Sequence, residues 1–105
     1  MSEHPGSFQD FLEQYPELER SHKEFSKLVS QFGPLEKKMR RLVRLGIAIG
    51  QQNGQQVRSS TRRGLEEGLS PEELRHAAIL ALSAAGVPAG VVACQWVEEA
   101  LAAAM

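Results

Sequence analysis

The sequence predicts an all-α domain, a bundle of about six helices with an antiparallel helix pair at its centre. Three observations carry this. Apolar residues recur at helical spacing along most of the chain, and no short run alternates Val, Ile or aromatic residues as a strand would. Punctuation falls at intervals that suit short helices: Pro16, Gly33-Pro34, Asn53-Gly54, Gly68, Ser70-Pro71 and Gly86-Val87-Pro88. A length of 105 residues, 42% hydrophobic and 24% charged, fits one soluble globular domain with no room for a second core.

Residues 1–6 read as a loose tail, with Pro5 and Gly6 as breakers. A short first helix is expected over 7–15, with Phe8, Phe11 and Leu12 on one face. Pro16 suits the start of a second, reaching about residue 31, in which Leu18, Phe25, Leu28 and Val29 are apolar. Gly33-Pro34 ends it and opens a third, from 35 to about 52. That helix carries Leu35, Met39, Leu42, Val43, Gly46, Ile47 and Ile49, a broad apolar face expected to be buried. Asn53-Gly54 marks a turn or the cap of a fourth helix ending at Gly68, with Val57, Thr61, Gly64, Leu65 and Gly68 on one side. Small residues there let a neighbouring helix approach closely.

Ser70-Pro71-Glu72-Glu73 is the clearest local signal. Ser70 is an N-cap, Pro71 fits the first helical position and Glu73 completes a capping box. The fifth helix then runs to about residue 85, burying Leu74, Ala77, Ala78, Ala81, Leu82 and Ala85. Gly86-Val87-Pro88 breaks the chain before a sixth helix, from about residue 89, that carries Val92, Trp96, Val97 and Leu101 and frays in Ala102, Ala103 and Ala104. Residues 1–33 thus form a tail and lead-in helices packing on a core of 34–105, one domain overall.

Composition narrows the function. A net charge of -1 argues against a general nucleic-acid binder, which needs clustered surplus Lys and Arg. A single cysteine, Cys94, cannot form an internal disulfide and suggests a reduced, cytoplasmic protein. The first residues lack the pattern of a secretory signal, and the apolar runs are too short for a membrane span. His4, His22 and His76 show no metal-ligand spacing, and there is no phosphate loop, nucleophile elbow or carboxylate pair set for acid–base work. No metal and no cofactor are expected.

Three stretches, taken together, resemble a known family: the helix from Lys38 through Arg41 to Ala48, the run Arg62-Arg63-Gly64-Leu65-Glu66-Glu67-Gly68 leading into Ser70 and Leu74, and Ala84-Ala85-Gly86-Val87-Pro88-Ala89-Gly90. Over about 34 to 101 the chain is similar to the carboxymuconolactone decarboxylase family, which includes the alkylhydroperoxidase AhpD. The resemblance implies an AhpD-like helical bundle whose protomers assemble into trimers or hexamers. It also implies one of two chemistries.

In the peroxidase branch a Cys-x-x-Cys pair, a following His and an upstream Glu form the site. The attacking thiol must ionise, and the second resolves the intermediate. The matching positions here are Asn53 and Gln56 for the cysteines, Ser60 for the His and Arg41 for the Glu. Amides neither ionise nor form disulfides, so a cysteine-dependent peroxidase is not expected. In the decarboxylase branch a His stands at the Ser60 position with an Arg two residues on, and a second His stands near Leu80. Arg62 retains the Arg; His76 lies one turn before Leu80.

Two readings are open for these residues. Asn53, Gln56 and Ser60 share a helical face and could line a polar pocket, or they could be capping and solvated residues on a scaffold without catalysis. Arg41, Arg58 and Arg62 could converge on a carboxylate or phosphate, or they could form a solvated face with Arg44, paired with Glu36, Glu66 and Glu67. Cys94, among Val91, Val92 and Val97, reads as a buried inert thiol, and His76 as a surface or interface residue. Trp96, Phe25 and Phe32 read as core or subunit-interface anchors.

The expected function is a non-redox family member that binds or converts a small organic acid, with Arg41, Arg58, Ser60, Arg62 and His76 as binding candidates. The alternatives are a hydroperoxide reductase with peroxiredoxin activity and a catalytically silent oligomeric scaffold for a partner protein.

Overall fold

A computed structural model describes residues 8–104, all but the turns and caps lying in six α-helices, with no strand among them. The tail expected over 1–6 lies outside the described residues. The chain divides into two compact units, Met1–Pro34 and Leu35–Met105.

The first unit holds α1 (Phe8–Gln14) and α2 (Pro16–Ser30). Pro16 occupies the first turn of α2, where its missing N–H costs no helical bond. The rings of Phe11 and Tyr15 lie 4.9 Å apart and tilted by 41°. Leu12 is buried, yet α2 buries none of its residues. Its apolar stripe of Leu18, Phe25, Leu28 and Val29 is 50–65% exposed.

The second unit is a bundle of α3 (Lys37–Gly50), α4 (Gly54–Glu66), α5 (Pro71–Ala84) and α6 (Val87–Ala104). α5 and α6, joined by Ala85-Gly86, pack most closely, as a short helix–helix connection dictates. α4 packs on α6, and α3 on α4 and α5. Leu45, Val57, Leu74, Val97 and Leu101 form the core with Ala78 and Ala93.

α3 departs from the expected orientation. Leu35 just before it, and Met39, Val43 and Ile47 within it, are 42–55% exposed, while Arg41, Leu45, Ala48 and Ile49 are buried. The helix is apolar on nearly every side, so periodicity could not select the inward face. Small α5 and α6 residues fill in differently too: Ala85 and Val92 are exposed, and Gly90, Ala93 and Ala100 are buried.

Capping chemistry sets the joints. At the α3–α4 joint, Asn53 N–H donates to Ala48 carbonyl (3.0 Å) and Gln52 N–H to Ile49 carbonyl (3.0 Å), a Schellman closure. It places Gln52 in the left-handed region, φ 54°, where a side chain is disfavoured. Gln52→Gly is therefore expected to stabilise the protein by about 1 kcal/mol, raising Tm by roughly 4–8 °C in a thermal melt. Gly68, φ 100°, closes α4 in the same way, with Leu69 N–H on Gly64 carbonyl at 2.9 Å. At Ser70 the full capping box forms: Glu73 N–H donates to Ser70 Oγ (3.1 Å), and Ser70 N–H to Glu73 Oε1 (2.8 Å). Pro88 does not break the chain before α6. It sits inside the first turn, where proline is tolerated, and the helix continues through the C-terminal alanines to Ala104.

Candidate functional site

The four positions that match the family's thiol frame do different work here. Asn53 belongs to two helices at once. Its N–H closes α3, and its side-chain carbonyl caps α4 by accepting Gln56 N–H at 3.1 Å. Asn53→Ala removes that N-cap and is expected to cost about 1 kcal/mol, read by urea unfolding. The Gln56 side chain is exposed. Ser60 is buried on the inward face of α4 with Val57, Thr61 and Gly64, and Thr61 Oγ1 donates to Val57 carbonyl at 2.8 Å.

Arg41, at the Glu position, is turned into the protein. Nε donates to Glu67 Oε1 at 2.9 Å and Nη2 to Oε2 at 3.0 Å, a bidentate fork. The side chains are 10% and 16% exposed, so this is not a solvated surface pair. Gly64 makes room for the Arg41 stem: a Cβ there would lie 3.5 Å from Arg41 Cγ and 2.9 Å from Leu74 Cδ2. The hydrogen bond from Arg41 holds the Glu67 carboxyl below its usual value of 4.5; burial opposes this, and the charges of Arg41, Lys37 and Arg63 reinforce it.

The arginines expected to converge are thus dispersed. Arg41 is committed to Glu67, Arg58 reaches Glu99 on α6 at 3.4 Å, and Arg62 is exposed. Arg75 ties α5 to α6 through Glu98, with Nε at 2.7 Å and Nη2 at 3.2 Å. Among the described residues no buried side-chain nitrogen or oxygen lacks a partner, and no three His, Cys, Asp or Glu side chains cluster as metal ligands would. Cys94 is half-buried on α6, against the core.

Of the candidates, His76 lies on a cavity. A cleft of about 560 Å³ runs between α3 and α5, walled by Leu42, Gly46 and Ile49 on one side and Ala77, Leu80 and Ala84 on the other. His76 and Glu73 are its titratable lining residues. The sequence reading missed this cleft, although Gly46 and Gly50, one turn apart in an otherwise apolar helix, were its available signal.

A family model described as Carboxymuconolactone decarboxylase family matches residues 16–99, from the start of α2 into α6. The match begins earlier than the resemblance over 34–101 and takes in α2. Among curated proteins and among solved structures, no match to the chain is found.

Proposed function

Because the chain belongs to the carboxymuconolactone decarboxylase family, we propose that it is a non-redox member that binds or converts a small organic acid. The observation that carries this is the fate of the thiol frame. Asn53 is spent on closing and capping helices, and Arg41 on a buried ion pair. Neither residue is left to activate or resolve a thiol. Arg62 and His76 are the exposed cationic or ionisable candidates, and His76 faces a cleft of ligand size. Arg58, engaged with Glu99, and buried Ser60 support the α4 side of the bundle.

The test is twofold. Peroxide consumption with a dithiol reductant is expected to stay at the buffer rate, unchanged by Cys94→Ser. Thiol-dependent turnover would overturn the non-redox reading. A thermal-shift panel of carboxylates is expected to give a concentration-dependent rise in Tm for at least one acid, since a ligand that binds only the folded state stabilises it.

A second reading, an oligomer that serves as a scaffold for a partner protein, is favoured by the exposed apolar faces: Met39, Val43 and Ile47 on α3, and Val87, Val91 and Val92 on α6. Self-association as a trimer or hexamer would cover such faces, and light scattering on the purified chain tests it; a monomer at all concentrations would count against it. A cytoplasmic setting fits a chain with a single cysteine. No described helix is long and apolar enough to cross a membrane.

A further inference from the structure

We propose that the cleft between α3 and α5 is the seat of the acid and that it takes an unbranched, medium-chain monocarboxylate, head at His76 and tail along Gly46 and Gly50. This rests on the organic-acid reading above and names its site and ligand class.

The glycines carry the argument. Glycine is among the least favourable residues inside a helix, so it needs a use. Elsewhere in the bundle it has one. A Cβ would come within 2.7 Å of Trp96 at Gly54, 2.9 Å of Leu74 at Gly64 and 2.7 Å of the Leu82 backbone at Gly90. At Gly46 and Gly50 a Cβ would meet nothing within 4 Å. The chain's own packing does not use the space they leave. Both glycines line the cleft, and the facing wall on α5 is made of Ala77, Ala81 and Ala84. The result is a slot with small residues on both sides, suited to a narrow occupant.

Polarity orients that occupant. The lining is apolar apart from His76 and Glu73. Glu73 already receives Ser70 N–H in the capping box, and as a carboxylate it repels an acid. The His76 imidazole is exposed and offers the N–H for a charge-assisted hydrogen bond to a carboxylate head. A second carboxylate further along would lie against alanine and glycine with no partner, a costly burial, so dicarboxylates are excluded.

The test compares octanoate, octanol and succinate by thermal shift and calorimetry on the wild type, Gly46→Leu and His76→Phe. Gly46→Leu fills the slot from a position with open space and removes a helix-breaking residue, so it folds. Octanoate is expected to bind the wild type, to lose its shift in Gly46→Leu, and to bind His76→Phe roughly tenfold more weakly while octanol is unaffected. An equal octanoate shift in the wild type and Gly46→Leu would place binding elsewhere and overturn the proposal. Succinate binding without octanoate binding would overturn it and leave the organic-acid reading standing; no binding by any carboxylate would overturn both. If Gly46→Leu instead dissociates an oligomer and no ligand effect is seen, a second copy fills the slot and the proposal fails.

Discussion

Replacing Gly90 with alanine is expected to lower Tm by roughly 12–24 °C, a loss of about 3 kcal/mol at the upper end of ordinary overpacking. The added Cβ would stand 2.7 Å from both N and Cα of Leu82 and 2.8 Å from its Cδ2. Two of those three atoms are backbone, so no rotamer change relieves the clash. α5 and α6 must separate, and their packing is the closest in the bundle. Gly46→Ala in the same melt is the contrast. Its Cβ meets nothing, so the gain in helix propensity, about 1 kcal/mol, is expected to appear undiminished as a rise in Tm. A Gly90→Ala protein as stable as the wild type would mean that the two helices can slide apart without loss.

Arg41→Ala is expected to cost about 3 kcal/mol, because it leaves the Glu67 carboxylate partly buried without its partner. Arg41→Lys is expected to recover only part of this, since an ammonium cannot reproduce the two-pronged fork that Nε and Nη2 make on Oε1 and Oε2. The effect depends on pH in a defined direction. The folded-state carboxyl of Glu67 is held below 4.5, so its contribution is fully present above that value and is lost as pH falls through the lowered value. The gap in stability between wild type and Arg41→Ala, measured by urea unfolding, is therefore expected to be constant near neutral pH and to narrow below about pH 4.5. Glu73 and Glu98, also held low by hydrogen bonds from Ser70 and Arg75, add an acid sensitivity common to both proteins.

These two sites show what a sequence can and cannot disclose. Local chemistry was legible. The Ser70–Glu73 capping box, Pro16 in the first turn of α2 and the Asn53 cap all depend on residues within four positions of each other. Helix existence was equally legible from periodicity. The orientation of α3 was not. With Leu42, Val43, Leu45, Ile47 and Ile49 spread around one helix, the buried side is chosen by what α4 and α5 present, information that lies far along the chain. Arg41 illustrates the same limit for the site. Its pairing with Glu67 was one of several open options, and the bond spans 26 residues. The burial that turns it from a surface contact into a structural element depends on Gly64, whose role appears only when Leu74 and Leu69 close around it.

The central claim is that the residues at the family's thiol frame hold this protein together, Arg41 above all. A double-mutant cycle measures it most directly: Arg41→Met, Glu67→Met and the double variant, each unfolded in urea at neutral pH. The predicted result is two destabilised single variants and a double variant much less destabilised than their sum, with a coupling of about 2 kcal/mol. Additive, near-neutral changes would contradict the claim. They would mean that Arg41 is free of Glu67 in solution and available to hold an anion.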